Sequence, residues 1–162
     1  MLSIREIQPQ DDLAIAHVIR IVKSAYDADP QTTILGDPTL DHMYQTYLQE
    51  KAVYFVALWN VKIVRGGGIR QLDGSEDNIC ELQRMFLLPE ARRQGIGKTL
   101  MEYCLQKANE FAYERIYLET LSQMKEAQQL YRQFGFEAIP NTLGNTGHCG
   151  CNVRMIKDLS LQ

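Results

Sequence analysis

The sequence predicts a mixed α/β domain, and two observations carry that prediction. An apolar, strand-like run at residues 81–88 is followed by a short basic turn, a helical pattern and a second strand at 115–120, which makes a β-α-β unit. β-rich runs also lie before and after this unit. The 162 residues, 45% hydrophobic and 23% charged, suffice for one domain with a substantial core, so we expect a single domain over residues 1–162.

Three strands, two helices and a loop are predicted before the central unit. Asp11 or Asp12 can cap the first helix. The two strands just before the central unit form a hairpin around Asn60-Val61. In chain order, the predicted elements are strand 2–7, a helix ending near Ala25, loop 27–39, helix 40–48, strand 53–59 and strand 62–69.

Three consecutive glycines, Gly66, Gly67 and Gly68, interrupt the second strand of that hairpin. Glycine inside a strand indicates a bulge or a close approach of another backbone. A packing seam of small residues explains the same triplet equally well. Both interpretations therefore stay open.

After the basic turn, apolar residues at helical spacing predict a helix over 96–111 and another over 124–134. Gly135 is placed to end the second of these helices. Residues 136–139 and 152–157 complete the set as two strands separated by a long loop.

The basic turn that joins strand 81–88 to its helix has the composition of a phosphate-binding loop. Gly95 and Gly97 lack a Cβ atom, so the backbone can turn tightly and approach a ligand closely. The first amides of the following helix have no partner and lie at the positive end of the helix dipole. Arg92, Arg93 and Lys98 add positive charge, and a guanidinium matches phosphate oxygens with a planar fork.

Two common nucleotide motifs do not fit this turn. The nucleoside-triphosphate loop needs a glycine five residues before Gly97, where this chain has Arg92. A dinucleotide fingerprint that starts at Gly95 needs its third glycine at Leu100. The pattern that fits is [QR]-x-x-G-x-[GA], with Arg92, Gly95 and Gly97 at its fixed positions.

With the residues that flank it, this pattern resembles motif A of the GNAT superfamily, the Gcn5-related N-acetyltransferases. The stretch that carries the resemblance runs from Arg84-Met85-Phe86-Leu87 through Pro89-Glu90 to Gly95-Ile96-Gly97. Downstream, Ala127-x-x-Leu130-Tyr131-x-x-Phe134-Gly135-Phe136 resembles motif B of the same superfamily. The two motifs stand in the expected order, and the resemblance covers nearly the whole chain.

The resemblance implies the GNAT acyl-CoA N-acyltransferase fold, a twisted and mostly antiparallel central sheet flanked by helices. It also implies transfer of the acetyl group of acetyl-CoA directly to an amine of a small molecule or peptide. The coenzyme's diphosphate would lie on the turn, its pantetheine arm would pair with strand backbone, and the Leu87 amide would polarise the thioester carbonyl. The implied cofactor-binding residues are Met85, Phe86, Leu87, Arg92, Arg93, Gln94, Gly95, Ile96, Gly97 and Lys98.

Two residues are predicted to be catalytic by the same resemblance. Glu81 occupies the motif A position where several GNAT enzymes carry a catalytic glutamate, and it would act as the general base. Tyr131 falls where these enzymes commonly carry a tyrosine beside the leaving sulfur, and it would act as the general acid. A salt-bridging glutamate and a core tyrosine are the structural alternatives. Met124 departs from motif B, which often has asparagine there.

Other activities remain open from the sequence. A domain that binds acyl-CoA without turnover would keep the basic turn. The segment that holds His148, Cys149 and Cys151 could ligate zinc, but two cysteines one residue apart without a second ligand pair are a weak signal, so no metal is expected.

Composition bounds the partners. The net charge of −3 gives no basic field that would recruit nucleic acid, and no apolar run approaches membrane-spanning length. Four cysteines and the lack of a signal-like segment near Met1 lead us to expect a cytoplasmic protein with free thiols. The last strands could pair in a homodimer.

Overall fold

The structure is a computed structural model that describes residues 1–25, 37–87, 91–147 and 151–159. Seven strands of this part of the chain form one sheet in the order β1-β2-β3-β4-β5-β7-β6. The strands are β1 (Leu2–Glu6), β2 (Val53–Trp59), β3 (Lys62–Gln71), β4 (Ile79–Leu87), β5 (Arg115–Thr120), β6 (Glu137–Ile139) and β7 (Val153–Asp158). The helices are α1 (Asp12–Ser24), α2 (Met43–Thr46), α3 (Ile96–Glu110) and α4 (Lys125–Gln133).

The sheet is mixed and mostly antiparallel, as predicted. Only β4 and β5 pair in parallel within the described residues, and the connection between them is α3. This is the β-α-β unit that the sequence indicated. β6, at one edge, has only three residues.

Helices cover both faces of the sheet. Successive residues of β2 enter different apolar clusters: Tyr54 and Val56 join the cluster that contains α1 and α2, whereas Val53 and Phe55 join the cluster that contains α3. Because neighbouring side chains of a strand point to opposite faces, the two clusters lie on opposite sides of the sheet. No helix in the described part of the chain is long and apolar enough to cross a membrane.

The predicted helix over 40–48 is the main difference between the expected elements and the structure. A 3₁₀ turn at Pro38–Asp41 and the single turn α2 take its place. His42 separates them with a non-helical backbone, at φ −131° and ψ 45°. Asp37 caps the 3₁₀ turn through the Thr39 amide at 2.9 Å, so a local side chain fixes the earlier start. Most of the predicted loop 27–39 lies outside the described residues.

The three glycines of β3 lie beside a bulge. Gly66 pairs with Phe86 and Gly68 with Gln83, so β4 contains an extra residue at this point. Arg84, in that interval, has a φ of +55°, and its carbonyl accepts a hydrogen bond from the Tyr54 hydroxyl at 2.8 Å. A Cβ atom on Gly68 would lie 2.5 Å from the Val53 carbonyl oxygen. Both the bulge and the close backbone approach are therefore present.

We expect Gly68→Ala to lower the free energy of unfolding by about 1–3 kcal/mol, because the new methyl group meets backbone that cannot rotate away. Gly67→Ala is the matched control. Its Cβ atom would meet the flexible end of Met85 at 2.8 Å, so it should cost less. Urea unfolding of both variants measures the difference, and equal losses would contradict the contact with the Val53 backbone as the cause.

Candidate functional site

Two neighbouring strands in the middle of the sheet stop pairing partway along their length. β4 and β5 are paired only through Ile79–Glu81 and Arg115–Tyr117, although both strands continue beyond this point. The gap holds a small cavity of about 50 Å³, which we call the crevice. Its walls come mainly from β4, β5 and α4 and include Met85, Phe86, Glu119 and Tyr131; Lys23 of α1 and Cys151, just before β7, also line it.

A larger cleft of about 630 Å³ opens where α3 begins. Met85, Phe86 and Met124 line both this cleft and the crevice, so the two are adjacent. One wall is the start of α3 and the other is the start of α4. Most of the predicted cofactor-binding residues line the cleft, namely Met85, Phe86, Arg92, Arg93, Gly95, Ile96, Gly97 and Lys98.

The start of α3 leaves its first amides available to a ligand. Gly95 occupies the N-cap position in the left-handed conformation, at φ +74°, which glycine adopts without strain. The first intrahelical hydrogen bond joins the Thr99 amide to the Gly95 carbonyl at 3.1 Å. The amides of Ile96, Gly97 and Lys98 therefore precede the helical ladder, at the positive end of the dipole. This arrangement suits an anion.

The basic side chains around the cleft are differently placed. Arg93 is 87% exposed and lies 3.7 Å from Glu126 on α4, in a surface ion pair that contributes little to stability. Arg92 and Lys98 also line the cleft. Gln94, which was predicted to contact the cofactor, is exposed and does not line it.

Arg65 on β3 also lines the cleft, although it is not among the residues predicted from the sequence. It is only 7% exposed. A Cβ atom on Gly97 would lie 2.9 Å from its Nη1 atom, so the missing side chain of Gly97 makes room for this guanidinium. The only signal in the sequence was a single arginine within the apolar run 63–69. An arginine at the exposed end of a strand would give the same pattern.

Tyr131 lies on α4 and faces the crevice. It is 6% exposed, and its ring packs on Phe136 with centroids 5.9 Å apart. Burial raises the pKa of Tyr131, while the charge of Arg65 opposes that rise. The phenol therefore stays protonated at neutral pH, and its hydroxyl makes no hydrogen bond to the described part of the chain. A protonated hydroxyl at this place can serve as a donor.

Glu81 lies at the point where β4 and β5 last pair. It is 2% exposed, and its carboxylate accepts a hydrogen bond from the Gln83 amide at 2.5 Å. Gln83 in turn accepts a hydrogen bond from the Tyr47 hydroxyl at 2.7 Å. Tyr47 belongs to the apolar cluster of α1 and α2, so Glu81 faces the side of the sheet opposite to Tyr131.

Glu119 on β5 is a carboxylate at the crevice that is not among the residues predicted from the sequence. The Tyr117 hydroxyl donates to it at 2.7 Å, and the Thr146 hydroxyl donates to its other oxygen. The Tyr117 hydroxyl also accepts a hydrogen bond from the Leu143 amide. Strand alternation alone placed Glu119 on the same face as Tyr117, but nothing in the sequence showed that β5 borders a gap.

The remaining candidates are only partly described. Leu87 ends β4 opposite Arg65, and its side chain lies outside the described residues. His148 and Cys149 of the suggested metal segment also lie outside them. Cys151 lines the crevice. The described residues contain no group of three or more metal-ligating side chains.

The sequence profile of the Acetyltransferase (GNAT) family matches residues 20–136. The uncharacterized N-acetyltransferase YjgM of Escherichia coli K12 is 45% identical over 157 residues, which cover 96% of this chain and 93% of YjgM.

Solved structures share the fold. An acetyltransferase of the GNAT family from Staphylococcus aureus superposes with a TM-score of 0.81 at 22% identity, covering 98% of this chain and 99% of that one. YncA from Salmonella typhimurium, solved with its cofactor acetyl-CoA, superposes with a TM-score of 0.78 at 15% identity, covering 99% and 95%. The fold, the matched profile and the long alignment with YjgM agree, and the chain belongs to the GNAT family of acetyltransferases.

Proposed function

We propose that the protein transfers the acetyl group of acetyl-CoA directly to an amine of a small molecule or peptide. The observation that carries this proposal is the junction of the cleft with the crevice. An anion site at the start of α3 opens directly into a gap where β4 has no strand partner on its β5 side among the described residues. Acetyl-CoA bound to YncA, which has the same fold, supports the choice of cofactor.

The coenzyme is held in two ways in this proposal. Its diphosphate accepts hydrogen bonds from the amides of residues 96–98, with Arg92, Arg93 and Lys98 supplying charge. Its pantetheine arm lies along residues 85–87 of β4 and pairs with their backbone as an added strand would. A backbone amide of this stretch, for which Leu87 remains our prediction, polarises the thioester carbonyl.

The chemical step is a direct transfer. The neutral amine nitrogen bonds to the acetyl carbon, the carbon–sulfur bond breaks, and its electron pair stays on sulfur. Glu81 takes the proton that the nitrogen loses, through a water molecule, because the carboxylate is too buried for direct contact. Tyr131 gives its proton to the sulfur and recovers one from solvent. The products are the acetylated amine and the free thiol of CoA.

A covalent acetyl group on either of the two cysteines in the core has less support. Cys80 and Cys104 are buried, and burial raises the pKa of both thiols, that of Cys104 to about 12. Neither forms the thiolate that a nucleophile needs at neutral pH. Under direct transfer, acetyl-CoA without an acceptor leaves the mass of the intact protein unchanged.

A panel of amines tests the activity. We expect CoA thiol release that depends on both the acceptor and the protein, together with a thermal shift on adding CoA alone. A thermal shift without thiol release for any amine would favour the alternative, a domain that binds acyl-CoA without turnover. The absence of both signals would overturn the proposal.

Tyr131→Phe removes the proposed acid and keeps the ring that packs on Phe136. We expect kcat to fall by about 10²-fold or more, the usual contribution of a general acid, with little change in the affinity for CoA. Phe136→Leu is a control for altered packing, and it should affect stability more than kcat. Unchanged turnover in Tyr131→Phe would remove the acid role.

Glu81→Gln keeps the shape of the side chain and removes its charge. If Glu81 is the base, the wild-type kcat/KM falls at acidic pH as the carboxylate is protonated, and the variant loses that acidic limb along with most of its rate. Glu119→Gln is the matched comparison, since Glu119 lines the crevice from β5. Loss of the acidic limb in Glu119→Gln alone would assign the base to Glu119.

A further inference from the structure

Arg65 is a buried cation to which the described protein offers no anion. Its side chain leaves β3 beneath the start of α3, and the residue is 7% exposed. Its Nε atom is fully buried without a hydrogen-bond partner, and no ion pair or hydrogen bond of its other nitrogens joins it to the described residues. Burial lowers the pKa of Arg65, although an arginine still remains charged at neutral pH.

The other buried arginine of the sheet has both an anionic partner and a hydroxyl acceptor. Arg84 on β4 lies 2.7 Å from the Asp37 carboxylate, and it also donates to the Thr39 hydroxyl at 2.7 Å. A buried charge without such partners is strongly destabilising, so chains rarely keep one without a reason. Arg65 therefore requires an anion that is not part of the described protein.

The position of Arg65 identifies where that anion lies. Its guanidinium lines the cleft, next to Gly97 in the first turn of α3. A helix N-terminus already repels a cation, so placing Arg65 there raises the cost further. An anion bound at this point would satisfy the helix amides and the guanidinium together. Arg65 does not line the crevice, so the ligand's reactive end is not the group in question.

We propose that Arg65 is an internal anion receptor that binds the coenzyme's diphosphate from the sheet side of the cleft, while the amides of residues 96–98 bind it from the helix side. This rests on the proposed function, because the diphosphate is that of acetyl-CoA. The planar fork of a guanidinium matches two phosphate oxygens at once. Gly97 takes part by leaving the space that a Cβ atom would fill, 2.9 Å from Nη1.

Arg65→Met tests the proposal, since it keeps an unbranched side chain in the cavity and removes the charge. Calorimetric titration would compare CoA, dephospho-CoA and pantetheine, which has no diphosphate. We expect the affinity for both CoA and dephospho-CoA to fall by about 10- to 100-fold, as for a lost charged hydrogen bond, and the affinity for pantetheine to stay the same. The ligand-free variant should melt no lower than the wild type.

Arg65→Lys keeps the charge and removes the fork, and it serves if Arg65→Met does not fold. It should bind CoA less tightly than the wild type and pantetheine equally well. Arg115→Met is the matched control, because Arg115 begins β5, pairs with Asp77 on the surface and does not line the cleft. It should leave all three affinities unchanged.

Three results would overturn the proposal. Wild-type affinity of Arg65→Met for CoA would show that Arg65 does not contact the coenzyme. A loss for CoA but not for dephospho-CoA would assign the contact to the 3′-phosphate. A lower kcat with unchanged CoA affinity would mean that Arg65 acts on Tyr131. Failure of the proposed function looks different, because a wild-type protein that binds CoA without acetylating any amine leaves the binding role of Arg65 intact.

Discussion

The backbone pairing of β4 with β5 ends at Glu81 and Tyr117, and the site depends on that ending. β3 and β7 hold the outer sides of the two strands, so each remains ordered after they part. The bulge at Arg84, whose carbonyl accepts a hydrogen bond from the Tyr54 hydroxyl, lies in the part of β4 that is not paired with β5. Bulges increase the local twist of a strand, which explains how a continuous sheet can open in its middle.

The backbone groups at the separated edge of β4 need hydrogen-bond partners. Buried amides and carbonyls that lack a partner are costly, and the side of β4 that faces the gap has no strand partner beyond Glu81 among the described residues. A ligand with amides of its own can satisfy this edge as a strand would. In the same way, the first amides of α3 favour a bound anion, and the buried guanidinium of Arg65 adds to this preference. One ligand with a diphosphate at one end and an amide-containing arm would satisfy both the strand edge and the anion-binding groups.

The sequence predicted the parts of this site that depend on neighbouring residues. The turn at Gly95 and the end of α4 at Gly135 follow from glycine's access to positive φ, and the structure shows both, at +74° and +92°. The division of the expected helix 40–48 was only partly predictable in this way, because the Asp37 cap on the Thr39 amide is local but other contacts of this segment are not. Arg84 reaches from β4 to Asp37 and Thr39, and contacts between residues so far apart in the chain leave no local signal.

The positions of Arg65 and Glu119 at the candidate site were not predicted, for the same reason. Arg65 reaches the cleft only because β3 passes beneath the start of α3, and Glu119 reaches the crevice only because β5 separates from β4. Each residue lies on a strand whose own pattern is that of an ordinary core strand. Their significance comes from the packing of distant elements, which one sequence without its fold does not reveal.

The gap also connects the two faces of the sheet. Tyr131 approaches it from the face covered by α3 and α4, whereas Glu81 and Gln83 are bonded toward Tyr47 on the face covered by α1 and α2. If the coenzyme lies in the cleft, its thioester enters from the first face and leaves the second for the amine. In the proposed reaction, Glu81 would then take the proton of the attacking nitrogen from one face, and Tyr131 would protonate the leaving sulfur from the other. This geometry suits direct transfer between two bound substrates, because neither has to leave before the other arrives.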